Sequence, residues 1–319
     1  MALLSIDGLA VEFAVNRETI HALRGVTLSL EEGARTAVVG ESGSGKTVTA
    51  LSVLRLLPPT ARITSGRIDF AGRELTSLDD ARLGEIRGSQ VAMIFQHASA
   101  ALNPLWPVGR QIADVYRHHR GGTRREAWQR AVEVLAATGI PDAAARARDF
   151  PHQFSGGMAQ RVMIAMALVC SPKLLIADEP TTGLDLTIQV QVLDLIAEVV
   201  ERLDATLMLI SHDLAVVGAL CDHVVVMYAG EVMESGTTAQ VLDAPANPYT
   251  EGLLACFAEA GGGDMPSIPG RAPDMRRPIP GCGFAERCSR VEEVCRAHPA
   301  PVVEVAAGHL SRCHFAGER

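Results

Sequence analysis

The chain is poor in aromatic residues. Phe, Trp and Tyr supply 4 % of its 319 residues, although 48 % are hydrophobic. A core of ordinary size must therefore be filled by Val, Leu, Ile and Ala. No uninterrupted apolar run is long enough to cross a bilayer as a helix. The opening Met1-Ala2-Leu3-Leu4-Ser5-Ile6-Asp7 has no basic region and meets an acid early, so it does not read as a signal peptide. Positive charge is in deficit: 29 Lys and Arg against 37 Asp and Glu give a net charge of -8 and a pI near 5.7. That balance argues against a nucleic-acid partner. The expected compartment is the cytosol, where structural disulfides are rare. Cysteine is not scarce but is unevenly spread, with four of the seven after residue 280. No internal repeat is visible.

What the chain does have is Gly40-Glu41-Ser42-Gly43-Ser44-Gly45-Lys46-Thr47, the G-x-x-x-x-G-K-[ST] pattern of a phosphate-binding loop. Its flanks suit the mechanism. Thr36-Ala37-Val38-Val39 reads as a buried strand, and Val48, Leu51, Leu54 and Leu57 recur at helical spacing up to Pro58-Pro59. Strand, glycine turn and helix start together aim amides and a helix dipole at one point, which suits a phosphate chain. Lys46 is expected to reach the β and γ phosphates and the Thr47 hydroxyl to ligate Mg²⁺. There is one such loop and no second.

Short strands surround the loop. Residues 3–14, Val26–Leu30 and the hairpin around Gly66–Phe70 lie too close together for helical crossovers, so they are expected to pair antiparallel. Val91–Phe95, Lys173–Asp178, Thr206–Ile210 and Val224–Met227 read as core strands alternating with helices, which implies a mainly parallel sheet covered on both sides. Residues from about 97 to 165 change character and read as a helical insertion, with Arg124–Thr138 its clearest helix. After residue 244 Gly and Pro increase, and the chain reads as a tail region without a large core. The expected organisation is α/β, with domains at 1–244 and 245–319.

The strand Leu174–Ala177 delivers Asp178 and Glu179 at its C-terminal end, where ligands of such sheets sit. Asp178 is expected to hold Mg²⁺ and Glu179 to act as general base toward the attacking water. The third element is Phe154-Ser155-Gly156-Gly157-Met158, with Ser155 as helix N-cap and two glycines leaving the first amides bare. It resembles the L-S-G-G-Q signature of ABC-type ATPases, and with the elements above the likeness covers residues 1 to about 240. Phe154 and Met158 stand where the family usually has Leu and Gln. The resemblance implies a P-loop NTPase of ABC type that completes its site only against a second ATPase. It assigns the γ-phosphate contacts of a neighbouring subunit to Ser155, Gly156 and Gly157. Gln96 resembles the Q-loop glutamine, which touches Mg²⁺ and water; His212, the switch histidine; Asp185, in Gly183-Leu184-Asp185, the loop that crosses the dimer interface. Phe13 sits where an aromatic ring stacks on adenine; a core phenylalanine is the alternative.

Asp149-Phe150-Pro151-His152-Gln153, the run from Ala177 to Asp185, and Asn247-Pro248-Tyr249-Thr250 together look like the ATPase of the oligopeptide/dipeptide importer group, whose relatives include nickel importers. The group implies a peripheral subunit on the cytoplasmic face of the inner membrane. Its partners are two permeases, a second related ATPase as homo- or heterodimer, and an extracytoplasmic binding protein, with no nucleic acid. The stretch from Asn103 to Trp106 is expected to help receive a permease helix. Peptide is the expected solute, with nickel or another small solute as an alternative within transport. A soluble non-transport ABC ATPase is the alternative outside it.

Cys282, Cys288, Cys295 and Cys313 fall in a Pro-rich, core-poor segment and read as four soft ligands for a metal or cluster. Their spacing lacks the C-x-x-C pairs of zinc ribbons and the ferredoxin run. Similarity of Cys282-Gly283-Phe284-Ala285-Glu286-Arg287-Cys288 to importer ATPases with a C-x-F-x-x-R-C tail suggests a [4Fe–4S] cluster; zinc and unliganded thiols are the alternatives. Cys170, Cys221 and Cys256 are expected to be plain core residues, and His298, His309 and His314 to lie at the surface.

Overall fold

A computed structural model of the chain describes residues 2–96, 98–258 and 268–317. It begins with β1 (Ala2–Val15), β2 (Glu18–Glu31), β3 (Arg35–Val39), α1 (Lys46–Val53), β4 (Ala61–Phe70) and β5 (Arg73–Glu74). There follow α2 (Asp80–Ile86), β6 (Val91–Ile94), α3 (Ala98–Ala101), α4 (Val108–Arg120), α5 (Arg124–Ala137), α6 (Ala143–Arg146), α7 (Gly156–Leu168), β7 (Leu174–Asp178), α8 (Leu186–Leu203) and β8 (Thr206–Ile210). The last stretch holds α9 (Leu214–Leu220), β9 (His223–Tyr228), β10 (Glu231–Thr237), α10 (Thr238–Asp243), α11 (Pro248–Ala258), α12 (Glu293–Ala297), β11 (Val302–Ala306) and β12 (His309–Arg312). The fold is α/β. Two compact units emerge, one from Met1–Ser77 with Ile210–Arg319, the other from Leu78–Leu209.

In the first unit, β2-β1-β4-β5 form an antiparallel sheet, as the short strand spacing predicts. Register puts Leu4 opposite Leu30 and Phe70, and Ile6 opposite Leu28 and Ile68, so one face is aliphatic and buried. β2 starts eight residues before Val26. The reason is a two-residue turn, Asn16 and Arg17, both with positive φ (49° and 69°), which closes a hairpin without a glycine to announce it. The same unit contributes the strand order β11-β12-β10-β9-β3. β3 and β9 run parallel, while β10, β12 and β11 extend the row antiparallel.

The tail is thus more than a wrap: two of its strands join the sheet through β10. Their attachment is polar. His309 Nε2 meets Glu234 Oε1 at 2.6 Å, both side chains being almost fully buried. This corrects the expectation that His309 is a surface residue; a buried carboxylate requires a partner, and the imidazole supplies it. His298 is exposed and His314 half-buried, with His314 Nε2 at 3.1 Å from the His298 carbonyl.

The second unit carries parallel β6 and β7, with β8 beside β7, and helices α2 to α8. All residues of β6, β7 and β8 are buried, as near-continuous apolar runs in a parallel sheet should be. The insertion is helical as expected. α5 opens with a capping box between Thr123 and Glu126, and α4, flanked by Pro107 and Gly121, precedes it. α8 buries Val192, Leu195, Ile196 and Val199 on one face and stops at Asp204, in left-handed geometry with φ 49°. α1 is a turn shorter than its Leu spacing suggests: Leu54 caps it and Arg55 turns left-handed (φ 48°).

Candidate functional site

The phosphate loop lies in the first unit between β3 and α1. A Cβ on Gly40 would stand 2.1 Å from the Met227 carbonyl oxygen, and one on Gly45 would stand 2.6 Å from Leu23 Cδ2. Both residues also have positive φ, so the loop's path depends on their having no side chain. Lys46 Nζ donates to the carbonyls of Gly40 (2.8 Å) and Glu41 (2.9 Å), folding the ammonium back across the loop. No side chain caps α1 and no acid lies in its first turn. Among the described residues the buried Ser44 hydroxyl has no hydrogen-bond partner. A glycine cradle, an uncapped helix start, a buried ammonium and an unpaired hydroxyl are the groups a nucleotide's phosphates require. Ser42, Gly43 and Thr47 line the loop's exposed side. His212 is exposed after β8, and Asp213 beside it caps α9 by accepting from the amides of Ala215 and Val216. Phe13 is half-buried on β1, opposite Ile20 and Ala61.

The second unit carries the acids. Asp178 closes β7 and is 4 % exposed. Glu179 follows with φ 44°, a left-handed conformation uncommon for a non-glycine residue and characteristic of functional positions. Its Oε2 accepts from Gln96 Nε2 (3.1 Å) and from the Thr182 hydroxyl (2.9 Å). Gln96 and Glu179, distant in sequence, are thereby brought together. Two donors on one carboxylate oxygen fix the orientation of the Glu179 side chain. Thr182 is a contact that the sequence reading misses. The Asp178 carboxylate is a hard oxygen donor, the ligand type Mg²⁺ takes.

The signature segment opens α7. Ser155 Oγ accepts from the Met158 amide at 3.4 Å, and Ser155 and Gly156 are exposed, leaving the helix start open to an anion. A Cβ on Gly157 would meet Ile188 at 2.6 Å, so that glycine also serves packing against α8. Asp185 caps α8 by accepting from the Ile188 amide at 3.0 Å.

In the first unit a second set of residues, invisible to motif reading, surrounds the phosphate loop. The Glu41 amide donates to the Tyr249 hydroxyl at 3.0 Å. Arg287 grips the Glu41 carboxylate with both terminal nitrogens, at 2.6 and 2.9 Å. Tyr228, Tyr249 and Phe284 pack together with ring centroids 4.5 to 5.4 Å apart. Burial pushes both tyrosine hydroxyls above their ordinary range, and the Glu41 hydrogen bonds hold the Arg287 guanidinium still more firmly protonated. Tyr249 and Arg287 stand inside motifs legible in the sequence, but nothing there ties them to the loop.

Cys282, Cys288, Cys295 and Cys313 line one cavity with Phe284 and Phe315. Burial pushes the Cys282 thiol up to about 11, with the other three thiols adding to the shift, and raises Cys288 and Cys313 as well. The amides of Arg290 and Phe315 donate to the sulfurs of Cys288 and Cys313, each at 3.4 Å. Among the described residues no group of three or more His, Cys, Asp or Glu is placed to hold a metal ion. The four thiols lining this cavity are soft donors, a ligand type that zinc and iron–sulfur groups share. Cys170 and Cys221 are buried and Cys256 half-buried.

The chain matches the ABC transporter family model over residues 23–182 and the model of the oligopeptide/dipeptide transporter C-terminal region over residues 233–295. It is 43 % identical to the probable peptide ABC transporter ATP-binding protein y4tR of Sinorhizobium fredii, over 99 % of this chain and 96 % of that one. It is equally 43 % identical to the dipeptide transport ATP-binding protein DppD of Bacillus subtilis, over 99 % of this chain and 95 % of that one. Among solved structures, the ATP-binding cassette MJ0796, a dimer bound to ADP and Pi, superposes with a TM-score of 0.67 at 26 % identity, covering 74 % of this chain and 98 % of that one. The cbiO1 protein of Clostridium perfringens, part of the cbiONQ transporter complex, gives 0.64 at 26 % identity over 82 % and 96 %. With the phosphate loop, the acids and the signature segment in place, the chain belongs to the ABC transporter family, among the ATP-binding subunits that carry the oligopeptide/dipeptide transporter C-terminal region.

Proposed function

We propose that this chain is the ATP-hydrolysing subunit of an ABC importer that couples ATP binding and hydrolysis to uptake of di- or oligopeptides across the cytoplasmic membrane. The observation that carries the reading is the full-length likeness, C-terminal region included, to two peptide-transport ATP-binding proteins. The loop amides from Gly40 to Thr47 and Lys46 Nζ bind the β and γ phosphates, and Phe13 stacks on the base. Thr47, Asp178 and Gln96 would be the ligands of Mg²⁺, which would neutralise phosphate charge. Glu179, oriented by Gln96 and Thr182, takes a proton from the attacking water. The new bond forms between that water oxygen and the γ phosphorus; the bond to the β–γ bridging oxygen breaks and ADP leaves with the electron pair. His212 contacts the γ phosphate. Ser155, Gly156, Gly157 and Asp185 serve the nucleotide held by a second ATPase, a copy or a sibling; the dimeric MJ0796 cassette supports that arrangement.

Among the described residues no helix is long and apolar enough to cross a membrane. The translocation path therefore belongs to two permease subunits, fed by an extracytoplasmic binding protein, with this chain peripheral on the cytoplasmic side. Residues 1–244 form the ATPase domain and 245–319 the C-terminal region. Cys282, Cys288, Cys295 and Cys313 would hold a [4Fe–4S] cluster, which would cross-link the tail. The soft donor set and the N–H···S bonds support that reading.

The decisive experiment is Glu179→Gln. Binding of MgATP is expected to persist while phosphate release and peptide uptake fall by roughly 10²–10⁴. Turnover at the wild-type rate would remove Glu179 from its role. Uptake of nickel in place of peptide by the assembled importer would replace the solute and leave the ATPase reading intact.

A further inference from the structure

Glu41 places a carboxylate within the phosphate loop. Its carboxylate puts negative charge beside the place where a polyphosphate binds, and like charges there cost affinity. The structure neutralises it from the far end of the chain. Arg287, in the Cys282–Cys288 segment, gives both Nη atoms to the Glu41 carboxylate, a fork that Lys cannot reproduce. The Arg287 side chain is 6 % exposed and every nitrogen is engaged: Nε with the Pro269 carbonyl, Nη2 also with that of Ile268, Nη1 also with the Tyr228 hydroxyl. The Glu41 main chain is held as well, its amide by Tyr249 and its carbonyl by Lys46. Hydrogen bonds thus run unbroken from Arg287 through Glu41 to the lysine that meets the phosphates.

We propose that Arg287 is a positioning residue for the nucleotide. By neutralising and fixing Glu41, it makes the affinity of the phosphate loop depend on the folded C-terminal cysteine segment. The segment's own fold supports the linkage. The Cys282 amide donates to the Cys295 carbonyl at 2.7 Å, and the Ala285 and Arg287 amides close turns on Cys282 and Phe284. The turn that holds Cys282 against Cys295 therefore also places Arg287. The inference rests on the nucleotide-binding reading above.

The test is MgADP affinity of the full-length protein, by titration calorimetry, for wild type, Arg287→Ala, Arg287→Lys, Glu41→Gln and Arg287→Ala/Glu41→Gln. Arg287→Ala is expected to weaken binding about tenfold, because it leaves an unpaired carboxylate in the loop. Arg287→Lys should keep the charge and lose the fork, giving an intermediate value. The double variant should bind more tightly than Arg287→Ala, since removing the carboxylate removes the repulsion. An arginine that merely anchored the tail would show no such rescue. If Arg287→Ala does not fold, the Arg287→Lys and Glu41→Gln pair is combined and judged the same way. Unchanged affinity in the arginine variants, or a double variant weaker than both singles, overturns the proposal. Wild-type protein that fails to bind MgADP overturns the nucleotide reading and this inference with it.

Discussion

Gly40 shows how tightly single residues are specified at the site. A methyl group there would be driven into the Met227 carbonyl oxygen, and that atom belongs to backbone, which cannot step aside as a flexible side chain can. Gly40→Ala should therefore abolish MgADP binding, checked by calorimetry, while the melting temperature drops by an amount a strained loop explains. Cys221 makes a different prediction. Burial, with Asp222 adding, pushes its thiol up to about 12. Below pH 9 the thiol is neutral in folded and unfolded chains alike, and its burial is compatible with the fold. Above that, the unfolded chain ionises first, so stability falls between about pH 9 and 12. Melting curves of Cys221→Ala should lose less stability than wild type across that window; equal losses would assign the alkaline transition elsewhere. At this scale the sequence is highly legible. The phosphate loop, Asp178, Glu179 and the signature serine are contiguous motifs, and each lands on the predicted strand end or helix start. The hydrogen bonds of Arg287 to Glu41 were not legible, because a partner 246 residues away leaves no local pattern; Thr182 is only three residues from Glu179, but residue types alone do not say which way its hydroxyl turns.

Among elements, the C-terminal hairpin is the instructive case. β11 buries little: its residues alternate between exposed and half-buried. Composition therefore read the region as core-poor. What attaches β12 to β10 is polar: the His309–Glu234 contact, and Asn247 Nδ2 donating to the carbonyls of Met233 (3.1 Å) and Arg312 (3.0 Å). The Glu234 side chain is fully buried and its Oε2 has no partner, so the carboxylate relies on few groups. His309→Ala should cost roughly 1–3 kcal/mol, read from denaturant midpoints, because it leaves the buried carboxylate with only the Ala246 amide, at 2.6 Å, among the hydrogen bonds described for it. A change near zero would mean that water replaces the imidazole. The β1–β2 hairpin teaches the same lesson. Its turn needs two positive φ values, and Asn16-Arg17 supplies them without glycine, so periodicity alone started β2 too late. The helical insertion, by contrast, announced itself through the helical pattern of Arg124–Thr138 and the closing Gly139, while the Thr123–Glu126 capping box emerged from the structure.

For the molecule as a whole, the tail is where chemistry and fold meet. Protein purified without oxygen should be brown and carry iron in stoichiometric amount. Cys288→Ser should lower both iron content and melting temperature, since thiolate ligation supplies what a small core cannot. Colourless protein with one zinc per chain would assign the cysteines to zinc instead. Local sequence determined the family, the nucleotide chemistry and the alternation of strands with helices, because phosphate binding and buried strands each require short, contiguous residue patterns. Only the tertiary structure decided that Gln96 meets Glu179, that His309 is buried, and that an arginine of the cysteine segment closes on the phosphate loop 246 residues away. Such contacts are fixed by where the packed strands deliver their loops. That is a property of the assembled fold, and no stretch of chain carries it alone.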